Sequence, residues 1–200
     1  MGEEIRSTLE IALEKAEKIG KASKEELEWE KHKEVILSYV GKYLKNEIDN
    51  LGTELNNYWR AFPKDIQKNL LRLTVETLLK NITLPREEYH LKESQRIFLT
   101  LKDLLRTVPK VDQLFKEAEK LLKEYLHHKK ALYQELVKKF SSGLSALERA
   151  VSEQVGAKVR LSPEAHPQFQ EEWNNLREHL DREYGRQLDY IKALLLKILS

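Results

Sequence analysis

Between Val111 and Val155 the chain carries apolar side chains at intervals of three and four residues, with no proline and a single glycine. The series is Val111, Leu114, Ala118, Leu121, Tyr125, Leu132, Leu136, Phe140, Leu144, Leu147, Val151 and Val155. Such spacing draws one stripe along an α-helix. A helix over 110–155 would be a rod of roughly 65–70 Å. Its stripe needs other elements of matching length to cover it. The composition supplies them in helical form, since leucine outnumbers valine and isoleucine together by 34 to 19. The expected fold class is therefore all-α: an elongated antiparallel helical bundle with long rods.

The remaining segments read in the same way. Leu9, Ala12, Leu13, Ala16 and Ile19 share a face, bounded by a Ser7/Glu10 capping box and by Gly20. They predict a helical arm within residues 1–22, ahead of a bundle domain over 23–200. A second capping box at Ser23 and Glu26 opens a long helix. Its spacing, from Ile36 through Leu51 to Phe62, permits one rod through Gly41 and Gly52, while Asn50-Leu51-Gly52-Thr53 also reads as a stop and restart. Pro63, Pro85 and Pro109 each precede an acid in what would be a first turn, predicting helices over 64–81, 86–107 and 110–155. Ser141-Ser142-Gly143 marks a place for a bend. Residues 156–166 read as extended coil, and Pro167 starts the last helix.

Several chemistries are excluded by what the chain lacks. Neighbouring glycines are never closer than eleven residues, so no glycine-rich phosphate cradle can form. Without cysteine there is no thiol nucleophile and no thiolate metal site. Lys plus Arg is 35 against Asp plus Glu 33, a balance unlike that of a dedicated nucleic-acid binder. The strongest local bias, ten basic against six acidic residues over 101–140, leaves a nucleic-acid-associated helical protein using Lys110 to Lys139 as one alternative. Residues 1–10 have no apolar stretch of the signal-peptide kind, and the expectation is a cytoplasmic protein without membrane contact.

Two patterns resemble metal chemistry. Glu87-Glu88-Tyr89-His90 and Glu124-Tyr125-Leu126-His127 are both Glu-x-x-His, the pair that di-iron and di-manganese carboxylate bundles repeat on two helices. Glu87, His90, Glu124 and His127 are therefore the candidate ligands for Fe or Mn. Outside this alternative the sequence requires no cofactor. With 27 Glu and six His, about one such pair arises by chance, and surface ion pairs and partly buried histidines are the favoured reading of both.

The last feature is at the end of the chain. Nine of the twelve residues from Leu188 to Leu199 are apolar, wider than the stripe a one-sided helix needs. Twelve residues are too few to span a bilayer, which takes about twenty. Leu194, Leu195, Leu196 and Leu199 are thus either deep in the monomer, or part of an interface with a second copy or another protein, with contact at a membrane surface as the least favoured reading. Trp29, among Glu25, Glu26, Glu28, Glu30 and Lys31, has the same two readings.

Ser7-Thr8-Leu9-Glu10-Ile11-Ala12-Leu13-Glu14-Lys15, with the charged linker after it, resembles the opening of a group of uncharacterised bacterial helical proteins with a domain of unknown function. His166-Pro167-Gln168-Phe169-Gln170-Glu171-Glu172-Trp173, with Tyr184-Gly185 beyond, is similar to their closing helix. The resemblance implies a helical fold and a bacterial source and carries no activity. The sequence therefore points first to a non-enzymatic scaffold or adaptor acting through protein contacts or self-association. The metal bundle and the nucleic-acid reading are its alternatives.

Overall fold

The computed structural model describes residues 24–157 and 160–199, all of them helical or connecting segments. The expected arm over 1–22, its caps at Ser7, Gly20 and Ser23, and Val159 lie outside the described residues. Six α-helices are described: α1 (Lys24–Leu44), α2 (Leu51–Trp59), α3 (Lys64–Lys80), α4 (Glu88–Leu104), α5 (Val111–Val155) and α6 (Pro167–Ile198), with a 3-10 turn at Pro163–Ala165. The fold is an all-α helical bundle. Among the described residues no helix is long and apolar enough to cross a membrane. The chain divides into two compact units, Met1–Thr74 and Val75–Ser200.

In the first unit the long rod is broken, and the break is built by asparagine. Asn46 adopts the left-handed region at φ 61. The Glu47 N–H donates to the Lys42 carbonyl (2.9 Å) and the Asn46 N–H to that of Tyr43 (3.0 Å). This pair of bonds is the Schellman closure, usually made with glycine and sometimes with asparagine. Glycine therefore does not end α1: Gly41 lies inside it and Gly52 inside α2. The restart is Asn50, whose side-chain oxygen accepts from the Thr53 N–H at 2.9 Å. Asn50→Ala is expected to cost about 1 kcal/mol, visible as a lowered melting temperature, and Asn50→Asp to retain most of it. Ile36, Val40 and Tyr43 of α1, and Leu51, Leu55 and Trp59 of α2, are buried. Beside them His32 Nδ1 lies 2.7 Å from the Tyr58 hydroxyl, and the His32 ring meets Phe62 edge-on.

The second unit is organised by α5, whose 45 residues match the expected rod to within one residue. It runs antiparallel to α6, with Tyr125 opposite Asp181, Tyr133 opposite Trp173 and Phe140 opposite Phe169. α4 packs against its first turns through Phe98 and Phe115, whose ring centroids are 5.7 Å apart. Lys102 and Glu119 close the same contact with an ion pair at 3.0 Å. Past Phe140, α5 outruns α6. The chain turns at Gly156, in the left-handed region at φ 66, and comes back along α5 so that the Leu161 N–H donates to Glu148 at 2.6 Å. That cover is thin: Leu144 and Val151 are half-buried and Val155 is exposed, so the stripe outlasts its partner.

The prolines stand at or ahead of helix starts, with Asp65, Glu88 and Asp112 in the first turns of α3, α4 and α5 as expected. Pro167 is inside the first turn of α6. Pro63 precedes α3, Pro85 stands two residues before Glu87, the N-cap of α4, and Pro109 precedes Lys110, the N-cap of α5. The Pro63 carbonyl accepts from the Gln67 N–H at 3.0 Å, the first helical bond of α3, whereas Pro85 and Pro109 lie ahead of the N-cap residues of α4 and α5.

Candidate functional site

The proposed metal ligands are not gathered. Glu87 is the exposed N-cap of α4, and His90 lies in the first turn with its Nδ1 buried and without a hydrogen-bond partner. The His90 ring stacks on Tyr89, with centroids 3.8 Å apart. Glu124 and His127 are exposed on α5, where Glu124 pairs with Lys120 at 3.6 Å. Among the described residues no three His, Asp or Glu side chains are placed to hold a metal ion. Three of the eight lysines from Lys110 to Lys139 are engaged within the protein. Besides the Lys120 pair, Lys139 binds Glu172 at 2.8 Å and Lys129 donates to the Arg86 carbonyl at 3.1 Å.

Of the C-terminal leucines, Leu195 is buried, in line with Leu188 and Ile191 on the face that α6 turns inward. Leu194, Leu196 and Leu199 are half-buried, as is Trp29 on α1. Leu194 has a specific place. With Ile198 of α6 and Leu114 of α5 it lines an apolar groove of about 470 Å³, flanked by Lys110, Gln113 and Lys197. Among the described residues no carboxylate belongs to this lining. Lys110 is held in the left-handed region at φ 67, a conformation that lysine adopts at a cost of about 1 kcal/mol.

A second concavity, of about 640 Å³, lies farther along the same helix pair. Leu126, Lys129, Lys130 and Tyr133 form its floor, at the i, i+3, i+4, i+7 spacing that shares one face of α5. Trp173 enters from α6, and the turn Arg86-Glu87-Glu88-Tyr89 closes the side. Tyr133 meets the Trp173 ring edge-on at 5.1 Å and donates its hydroxyl to Glu164 at 3.2 Å. Glu164 also accepts from the Ser162 hydroxyl, and these contacts hold its carboxyl below the ordinary carboxylate value. The wall is thus stiffened from behind.

Next to this cleft two tyrosines lock α5 to α6. Tyr125 donates to Asp181 at 2.6 Å, and the Tyr184 hydroxyl lies 2.6 Å from His128 Nδ1. Burial, reinforced by the bond to Asp181, pushes the Tyr125 phenol well above its ordinary value of 10.0. Above that pH the unfolded chain releases the proton while the folded chain keeps it. The stabilising contribution is therefore full below pH 10 and falls as pH rises further. Tyr125→Phe removes this proton. Its melting temperature is expected to be lower than the parent's at neutral pH, from the lost hydrogen bond, and to decline less steeply between about pH 10 and 12. Thermal melts across that range check it.

Sequence reading singled out Leu194 but neither the groove nor the cleft around Trp173. The floor spacing on α5, with two lysines and a tyrosine on one face, was the available signal. All residues lining the cleft, and all but Ile198 of the groove, fall within one family match. The match includes the segment 166–185 and not 7–15. No curated protein and no solved structure matches the chain. Residues 56–197, most of the sequence, match a family of unknown function, DUF6657, and the chain belongs to that family.

Proposed function

We propose that the protein is a non-enzymatic adaptor that takes an apolar, acid-flanked segment of a partner protein into the groove between the start of α5 and the end of α6. The observation that carries this reading is the chemistry of the groove. Its apolar lining is Leu114, Leu194 and Ile198, its charged neighbours are Lys110 and Lys197, and among the described residues it contains no acid. A purely apolar occupant would leave both ammonium groups uncompensated at the rim, whereas flanking carboxylates would pair with them. The surface continues beyond the groove. Tyr190, Leu194 and Ile198 follow at four-residue intervals on α6, and Tyr190 is 66% exposed. Exposed tyrosine beside an aliphatic pocket is a common anchor arrangement in protein interfaces. The strained Lys110 backbone supports the same reading, since the fold holds that side chain at the groove against its local preference.

The test uses purified full-length protein and candidates captured from the native host. Direct binding of a captured protein, lost in Leu194→Glu and weakened in Lys110→Glu and Lys197→Glu, is the expected result. The exposed-site variant Val155→Glu should bind as the parent does. Binding unaffected by Leu194→Glu would overturn the reading. So would self-association through the groove detected by light scattering, or groove-dependent binding to anionic vesicles, because each assigns the surface to a different occupant.

A further inference from the structure

We propose that the cleft formed by the Arg86-Glu87-Glu88-Tyr89 turn, α5 and Trp173 is a binding site for an aromatic monocarboxylate. The volume, about 640 Å³, is in the range of small-molecule sites. Tyr133 and Trp173 offer ring surface, and their mutual edge-on contact fixes one against the other. Arg86 supplies a guanidinium matched to a carboxylate, which it can hold through two parallel hydrogen bonds. The turn that carries Arg86 is tied to α5, because Lys129 donates to the Arg86 carbonyl at 3.1 Å. The cation and the ring platform are therefore held by connected parts of one frame.

The sign and number of charges select the class of ligand. Three cationic side chains, Arg86, Lys129 and Lys130, face two acidic ones, Glu87 and Glu88. Among the side chains that line the cleft one unit of positive charge remains, which a single carboxylate neutralises, while Glu164 stands behind Tyr133 and outside the lining. A nucleotide or other polyphosphate would bring excess negative charge against Glu87 and Glu88. A neutral aromatic would leave the guanidinium unused. The site is separate from the groove at Leu194, and its test does not depend on a protein partner.

Calorimetry on the full chain, with naphthylacetate as probe and naphthylethanol as its neutral analogue, tests the proposal. The acid is expected to bind about tenfold more tightly than the alcohol, the ratio expected for one charge-assisted pair. Arg86→Gln should lose that difference, Arg86→Lys should recover part of it, and Glu87→Gln should tighten the acid severalfold by removing a repelling charge. Arg86 and Glu87 are exposed, so these variants should fold as the parent does. The indole N–H resonance of Trp173, assigned from Trp173→Phe, should shift on titration. A peptide with a free carboxy-terminal tryptophan, compared with its amide, separates two sources of the same chemistry. Preferential binding of the free-acid peptide assigns the site to a protein terminus, and binding of naphthylacetate alone assigns it to a small acid. Equal affinity for acid and alcohol, affinity unchanged in Arg86→Gln, or no binding of the acid at millimolar concentration would each overturn the proposal.

Discussion

Phe115→Ala is expected to destabilise the second unit by about 3–5 kcal/mol, the usual cost of deleting a fully buried phenyl group. Phe115 has no exposed surface, and Phe98, against which it packs, is 1% exposed. α4 and the first turns of α5 meet at this pair, so the vacated space would lie between two helices rather than at a surface where side chains can relax. Leu99 gives the control. It is adjacent to Phe98 on α4 but 66% exposed, and Leu99→Ala should change stability by no more than about 0.5 kcal/mol. Urea unfolding followed by circular dichroism measures both. The protein has two compact units, so the transition should be fitted for the second unit rather than assumed to be one step. A loss below about 1.5 kcal/mol in Phe115→Ala would show that the α4–α5 contact is not a rigid core.

The elements with a continuous apolar stripe were legible in the sequence. The expected helices over 64–81 and 110–155 correspond to Lys64–Lys80 and Val111–Val155, because nothing competes locally with a long three-to-four pattern. The break after Leu44 was harder to read. The spacing permitted a rod through Gly41 and Gly52, and the restart at Asn50 was readable, yet the residue that turns the chain is Asn46, and asparagine adopts the left-handed region only where the surrounding bonds reward it. α4 is shorter at both ends than the expected 86–107, closing at Leu104. Its start is Glu88, since Glu87 takes extended backbone at φ −139 and makes no side-chain cap bond.

The sites were less legible than the helices for a separate reason. The cleft combines residues from three parts of the chain, around 86–89, 126–133 and 173. Trp173 faces Tyr133 only because α6 lies on α5 in one antiparallel register. An apolar stripe determines which face is covered, and leaves the register to side-chain fit. The Glu-x-x-His pairs show the converse. Their spacing on each helix was readable, but whether two such pairs meet depends on packing between helices. Glu124 pairs with a neighbour on its own helix, while His90 stacks on Tyr89.

The end of α6 gives the other large effect, through two adjacent leucines with opposite expected outcomes. Leu195 is 1% exposed, in line with Leu188 and Ile191 on the packed face. Leu195→Glu should cost more than the ~2–5 kcal/mol of a leucine-to-alanine change, because the introduced carboxylate has to be buried without a partner or protonated. Its pKa in the folded state would be raised by burial, so the folded form would favour the protonated side chain. Relative to the parent, the variant should recover stability as pH falls through and below that raised value. Leu194 is half-buried in the lining of the groove, where a longer polar side chain can reach water. Leu194→Glu should keep the helical signal and lose no more than about 1 kcal/mol. Thermal melts of the two variants at neutral and mildly acidic pH decide the assignment. Equal destabilisation would place both leucines in the core and remove Leu194 as a contact residue. A stable Leu195→Glu would mean that the inward face of α6 is not packed as described. The contrast also separates folding from recognition, since loss of partner binding in a fully folded Leu194→Glu can only come from the groove itself.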